Sequence, residues 1–192
     1  MLAPPAGSAQ QWKEIGVGLA KQGDYRGAVE PFGRACALDP RLLDACYYHG
    51  RALYAADQYR AALGPLRVAL RVDAVKGRAE TAIGQCHEAL GEAAEAERMF
   101  RAAVGRGDGF AQGARLAYGL FLVRQGRASE AVTVLEAAQT PESAEARYEL
   151  GLALSQCDRL AEAVRELERA PAHEAARLLL GKLRARLAAP RP

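Results

Sequence analysis

Four columns of residues recur along this chain with a common step. Gly16, Gly50 and Gly84 lie 34 residues apart (50 − 16 and 84 − 50), and Ala28, Ala62 and Ala96 keep the same interval. So do Phe32, Leu66 and Phe100, and so do Ala35, Ala69 and Ala103. A chain that repeats itself in this way folds as an array of like units. Within the first unit, Trp12, Ile15, Gly16 and Leu19 precede Gly23-Asp24-Tyr25, and Ala28, Phe32, Ala35 and Pro40 follow. Apolar positions three and four apart, broken by Gly-Asp, predict two amphipathic helices folded against each other. Gly16 and Ala28 are small where the two axes approach, to about 8–10 Å, and Trp12 and Phe32 fill the space around them. Ser8 is placed to cap the first helix. Gly23 supplies a left-handed C-terminal turn, Asp24 caps the second helix and Pro40 helps to end it.

A period near 34 residues with this column chemistry resembles the tetratricopeptide repeat (TPR) family, over roughly Ala9 to Ala175. The resemblance implies an all-α fold: a right-handed α-solenoid of about five helix-turn-helix repeats plus a C-terminal capping helix, in an open arc. A flexible tail is expected over 1–8, repeats at about 9–42, 43–76, 77–111, 112–143 and 144–175, a capping helix at 172–188 and a tail at 189–192. In repeat two, Asp57 is expected to cap near the turn, and Ala74 stands in the closing-proline column. Repeat three ends irregularly in Gly105-Arg106-Gly107-Asp108-Gly109. Repeat four, marked by Gly119, closes around Thr140-Pro141, and repeat five is marked by Gly151. In the last segment Leu179, Leu180, Leu183 and Leu187 form one stripe, with Arg177, Lys182, Arg184 and Arg186 facing away; a polar outer side of this kind covers the end of an open array. Gly181 equally fits the first helix of a truncated sixth repeat.

Composition agrees with helices. Half of the residues are hydrophobic but only 6% are aromatic, so alanine does much of the apolar work. No run of about 18 apolar residues exists to span a membrane. The opening stretch lacks a basic n-region and an apolar core, so no secretory signal is expected. The net charge of +3, from 26 basic and 23 acidic residues, lacks the dense basic stripe of nucleic-acid binders, and the excess of arginine over lysine reads as coding bias. The four cysteines, at 36, 46, 86 and 157, show no Cys-x-x-Cys spacing. They are expected as reduced, buried small hydrophobes, which fits a cytoplasmic protein.

No reactive constellation emerges. Gly16-Val17-Gly18 lies inside a helical pattern and lacks the third glycine of a nucleotide loop. Gly105 to Gly109 could form a backbone anion nest but reads as a plain inter-repeat loop. Of His49, His87 and His173, neither of the first two has a second ligand at i+4, and nothing orients Cys46 or Cys86 as a nucleophile. Glu92, Glu95, Glu97, Glu142, Glu145 and Glu149 read as exposed helix charges. We expect no enzymatic activity, no catalytic residues, no cofactor and no metal.

The second, fifth, ninth and twelfth columns of each first helix share one face. In the family this chain resembles, that face lines a concave groove that holds extended or helical peptides. Here it presents Lys13 in repeat one, Tyr47, Arg51 and Tyr54 in repeat two, Arg78 and Gln85 in repeat three, Leu116 and Leu120 in repeat four, and Tyr148 in repeat five. Basic and aromatic residues at one end grade into apolar ones. Some family members clamp a peptide's terminal carboxylate; Lys13 and Arg78 match two clamp columns, but Val17, Tyr48 and Ala82 break the others. The expected function is a non-catalytic scaffold that binds a protein or peptide, best an acidic one. The alternative is a structural module that self-associates through its end repeats or last helix. RNA binding by arginines ranks third, nucleic acid being disfavoured; no membrane partner is expected, and the oligomeric state stays open.

Overall fold

A computed structural model describes residues 7–42, 44–138 and 144–188. Among them the chain forms eleven α-helices and no strand. They are α1 (Ala9–Lys21), α2 (Tyr25–Leu38), α3 (Ala45–Ala55), α4 (Tyr59–Ala69), α5 (Lys76–Ala89), α6 (Ala93–Gly105), α7 (Ala111–Arg124), α8 (Ala128–Ala137), α9 (Ala144–Gln156), α10 (Leu160–Glu168) and α11 (Glu174–Ala188), with a 3-10 turn at Asp73–Val75. Helices one and two of each pair pack together, α1 on α2 through α9 on α10, and α11 follows alone. The N-terminal residues 1–6, the Thr140-Pro141 close of repeat four, Glu142 and the tail at 189–192 lie outside the described residues.

Local chemistry sets the helix ends. The Ser8 hydroxyl accepts the Gln11 N–H at 3.2 Å and the Gln11 side chain accepts the Ser8 N–H at 2.8 Å, a reciprocal cap that satisfies two orphan donors. Asp24 accepts the Gly27 N–H at 2.8 Å and caps α2. Asp57 does not cap α4 as expected. It occupies the column of Gly23, and both are left-handed, with φ of 62° and 82°. Gly91, Gly126 and Asp158 take the same conformation in the other pairs, at 76°, 73° and 60°. The turn needs a left-handed residue at this point, and a short Asp serves where glycine is absent. The residue after it, Gln58, begins α4 without a side-chain cap.

The glycine columns hold each pair together. A methyl group on Gly16, Gly50, Gly84, Gly119 or Gly151 would lie under 3.0 Å from Phe32, Leu66, Phe100, Leu135 or Leu167 on the partner helix. Ala28, Ala62, Ala96, Ala131 and Ala163 are completely buried beside these contacts. All five expected pairs therefore share one contact, including the two whose spacing slips.

The helices gather into two compact units, Met1–Asp108 and Gly109–Pro192, so the irregular Gly105 to Gly109 stretch marks the division. In the first unit, α2 also packs on α3 and α4 on α5. Cys36 and Cys46 form a disulfide that joins α2 to α3 across the inter-pair loop. This corrects the expectation of four reduced thiols: the repeat geometry brings the end of one pair and the start of the next within reach, with Cα atoms 4.6 Å apart. Ile15, one of the apolar positions of α1, is 49% exposed.

In the second unit, α8 packs on α9, and α11 lies on α10 and α9. Ala176 and Leu183 of α11 are buried and Leu179 and Leu180 are partly covered. Leu187, expected in that stripe, is 50% exposed, although α11 packs on α9 and α10. Arg184 and Arg186 do not simply face away; they pair with Glu168 at 2.7 Å and Asp158 at 2.9 Å. Among the described residues, no helix is long and apolar enough to cross a membrane.

Gly50→Ala is expected to lower stability by about 1–3 kcal/mol, the usual cost of overpacking. Gly18→Ala in α1, where a methyl meets nothing within 4 Å, should raise it by about 0.5–1 kcal/mol. Urea unfolding followed by circular dichroism measures both.

Candidate functional site

The 34-residue period becomes a lateral contact in the first unit. Arg51 of α3 donates to Gln85 of α5 at 2.6 Å, and Arg78 of α5 pairs with Asp44 just before α3. Each partner pair is separated by 34 residues, so equivalent columns of successive first helices stand side by side. Lys13, Tyr47, Arg51, Tyr54, Arg78 and Gln85 all belong to this unit. Tyr47 is half-buried against the Cys46, Ala69, Val75 and Ala79 cluster, and the Arg78 guanidinium covers its ring at 4.9 Å. Arg51 lies 5.3 Å over Tyr54, whose ring in turn meets Tyr59 at 5.2 Å.

Two consequences follow for recognition. Tyr47 is partly buried and packs against the core. Arg78 is neutralised by Asp44, whereas the partner of Arg51 is an uncharged amide, so Arg51 keeps an uncommitted positive charge. Below this face, Cys86 is fully buried and burial pushes its thiol up to about 11; it is no nucleophile. His49 is partly buried, which lowers its pKa. His87, buried, bonds Glu92 at 2.6 Å. Glu92 is thereby held below the usual carboxylate range, first by that bond and also by Arg60, so it is not the unengaged surface charge expected.

The remaining candidates belong to the second unit. Leu116 and Leu120 are half-buried on α7. Tyr148 stacks on His173 with ring centroids 4.8 Å apart. His173 Nδ1 accepts the Ala176 N–H at 3.2 Å, capping α11, which leaves Nε2 to donate to Glu145 at 2.8 Å. Tyr148 is therefore occupied within the fold. Glu149, also expected as exposed, is half-buried; burial and the Glu145 charge raise its pKa.

The fold of paired helices with a small–large contact at each crossing can now be set beside known proteins. Residues 122–187 match the family model for the tetratricopeptide repeat. Those residues carry tetratricopeptide repeats, and the chain as a whole has the fold of tetratricopeptide-repeat proteins. It superposes on PilW, a type IV pilus biogenesis factor, with a TM-score of 0.77 at 20% identity, over 93% of this chain and 86% of that one. A thermophilic TPR protein of Thermus thermophilus gives 0.71 at 20% identity, over 92% and 98%. YrrB, a TPR protein with an unusual peptide-binding site, gives 0.61 at 23% identity, over 88% and 90%. No curated protein sequence matches the chain.

Three features of the fold are not apparent from the repeat columns. Glu80 is buried in the column of Trp12 and accepts two bonds from Arg106, at 2.5 and 2.9 Å; a carboxylate in an apolar column was the available signal. Lys21 and Tyr25 line a pocket with Arg51 and Tyr54. The Cys36–Cys46 disulfide was signalled only by two cysteines flanking one inter-repeat loop. Among the described residues, no group of three His, Cys, Asp or Glu could hold a metal.

Glu149 allows a test of the second unit. Its folded pKa lies above the unfolded value, so the ionised form is disfavoured in the fold and stability is lost as pH rises through the folded pKa. Glu149→Gln should therefore raise the melting temperature at pH 7. The gain should vanish below about pH 4, where both states are protonated, as thermal scans across pH will record.

Proposed function

We propose that this TPR protein is a non-catalytic scaffold whose first unit binds a segment of another protein along the face of α1, α3 and α5. The uncommitted charge of Arg51 beside the Tyr54 ring carries this reading: Arg and Tyr are frequent binding anchors, and here their packing fixes them in place. Lys21 adds a second positive charge on the same side of the unit. An acidic segment is therefore the favoured partner, with affinity that falls as salt rises. Likeness to YrrB supports a peptide partner only through the shared fold. RNA is disfavoured because arginines such as Arg60, Arg106, Arg127 and Arg159 are engaged with carboxylates rather than available to phosphates.

A cytoplasmic location belongs to this proposal on one condition, that Cys36 and Cys46 are reduced in the cell, since a disulfide persists in oxidising compartments. The natural partner should lose at least tenfold in affinity to the double variant Arg51→Glu with Tyr54→Ala. Equal affinity for wild type and variant in a titration would remove this end of the face from the site.

Self-association is the second reading, favoured by Leu178 and Leu187, both exposed on α11. If α11 joins two copies, Leu178→Asp with Leu187→Asp should turn a concentration-dependent mass in light scattering into a constant monomer mass. A wild-type mass that is monomeric at every concentration rules the reading out.

A further inference from the structure

Among the columns where the first two helix pairs differ, one leaves a hole. Tyr25 and Tyr59 are equivalents 34 residues apart (59 − 25), and so are Ala20 and Tyr54 (54 − 20). In the second pair the Tyr54 ring packs on Tyr59. In the first, Ala20 offers only a methyl group, and Tyr25 is 48% exposed. Beside it opens a pocket of about 540 Å³, walled by Val17 and Tyr48 and lined at its base by the buried Phe32 and Ala52. That volume is within the range of about 300–1,000 Å³ that encloses small ligands. No carboxylate lines the pocket. Lys21 and Arg51 do, and neither makes an ion pair among the described residues.

We propose that this pocket receives one aromatic side chain of a partner protein, with an adjacent Asp or Glu paired to Lys21 or Arg51. The proposal rests on the peptide-binding reading above and supplies its anchor. The incoming ring takes the place that Tyr54 fills one repeat later, against Tyr25 instead of Tyr59. Rings pair best offset or edge-to-face, with centroids about 4.5–7 Å apart, and the Tyr54–Tyr59 pair shows that the repeat geometry accommodates this. The apolar base gives the ring desolvated contact. The two cations select a flanking carboxylate and repel a flanking lysine, so affinity and specificity come from different walls of one pocket.

Chemical-shift titration of the full chain with the acetylated, amidated peptide Glu-Glu-Trp-Glu-Glu tests this, with Glu-Glu-Ala-Glu-Glu and Lys-Lys-Trp-Lys-Lys alongside. The first peptide should bind at least tenfold more tightly than either other, with shifts centred on Val17, Tyr25 and Tyr48. Ala20→Tyr, which fills the hole from within, should weaken binding at least tenfold without lowering the melting temperature. Lys21→Glu, at an exposed position, should weaken it several-fold. Equal binding of the Trp and Ala peptides, absence of binding by all three, or full binding to both Ala20→Tyr and Lys21→Glu overturns the proposal. Binding that survives Ala20→Tyr but is lost in Arg51→Glu with Tyr54→Ala overturns the pocket and leaves the wider face standing.

Discussion

Each helix pair depends on the contact between a glycine and a large apolar side chain. Where Gly16 meets Phe32, or Gly84 meets Phe100, the absence of a Cβ lets the ring reach the helix backbone. Burying such a side chain contributes roughly 1.5–3 kcal/mol, and five pairs make the contact once each. The completely buried alanines of the next column allow the two axes to stay close over a further turn. Because the contact recurs at nearly constant spacing, it also fixes what lies across each pair. Arg51 meets Gln85, and Arg78 meets Asp44, only because equivalent residues of neighbouring pairs are brought side by side.

Charges around this framework fall into two kinds. Pairs such as Arg34–Glu30 and Arg101–Glu97 lie along single helices near the surface; each contributes about 0–1 kcal/mol. Glu80–Arg106 differs, because the carboxylate is buried and must offset its own desolvation. Its two hydrogen bonds tie α5 to the end of α6, beside the glycine-rich stretch where the first unit ends. Once these internal pairs are removed from consideration, the formal excess of basic residues says little about partners. Arg51 matters because its polar neighbour is neutral, not because arginine is abundant.

Most of the fold was legible in the residues, since it rests on spacing and size. The glycine, alanine and Phe/Leu columns locate every pair, and Ser8 and Asp24 mark helix starts through local hydrogen bonds. Failures occurred where a residue's role depends on a neighbour distant in sequence or on a backbone angle. Asp57 has the chemistry of a cap, but the turn placed it in the left-handed region one residue too early. Asp44 silences Arg78, and His173 occupies Tyr148, through contacts 34 and 25 residues away (78 − 44 and 173 − 148). Of the expected face, then, Arg78 pairs with a carboxylate and Tyr148 stacks on a histidine, whereas Arg51 meets an uncharged amide beside Tyr54. Cys36 and Cys46 have no motif spacing, and only the docking of α2 on α3 brings them together.

The same geometry limits where recognition can vary. Phe32 closes the first helix pair against Gly16 and also lines the base of the pocket between α1 and α3. A change there would open the helix pair before it altered a ligand, so Phe32 cannot set specificity independently. The disulfide restrains α2 against α3 nearby, so two walls of the pocket are held relative to each other wherever it is formed. Lys21 and Tyr25 are exposed beside the opening, whereas Arg51 also bonds Gln85 across to α5 and Ala20 packs on the cluster of Phe32. Sequence change at Lys21 and Tyr25 can retune the surface at little cost to the fold, because the packing is done by the columns beneath them.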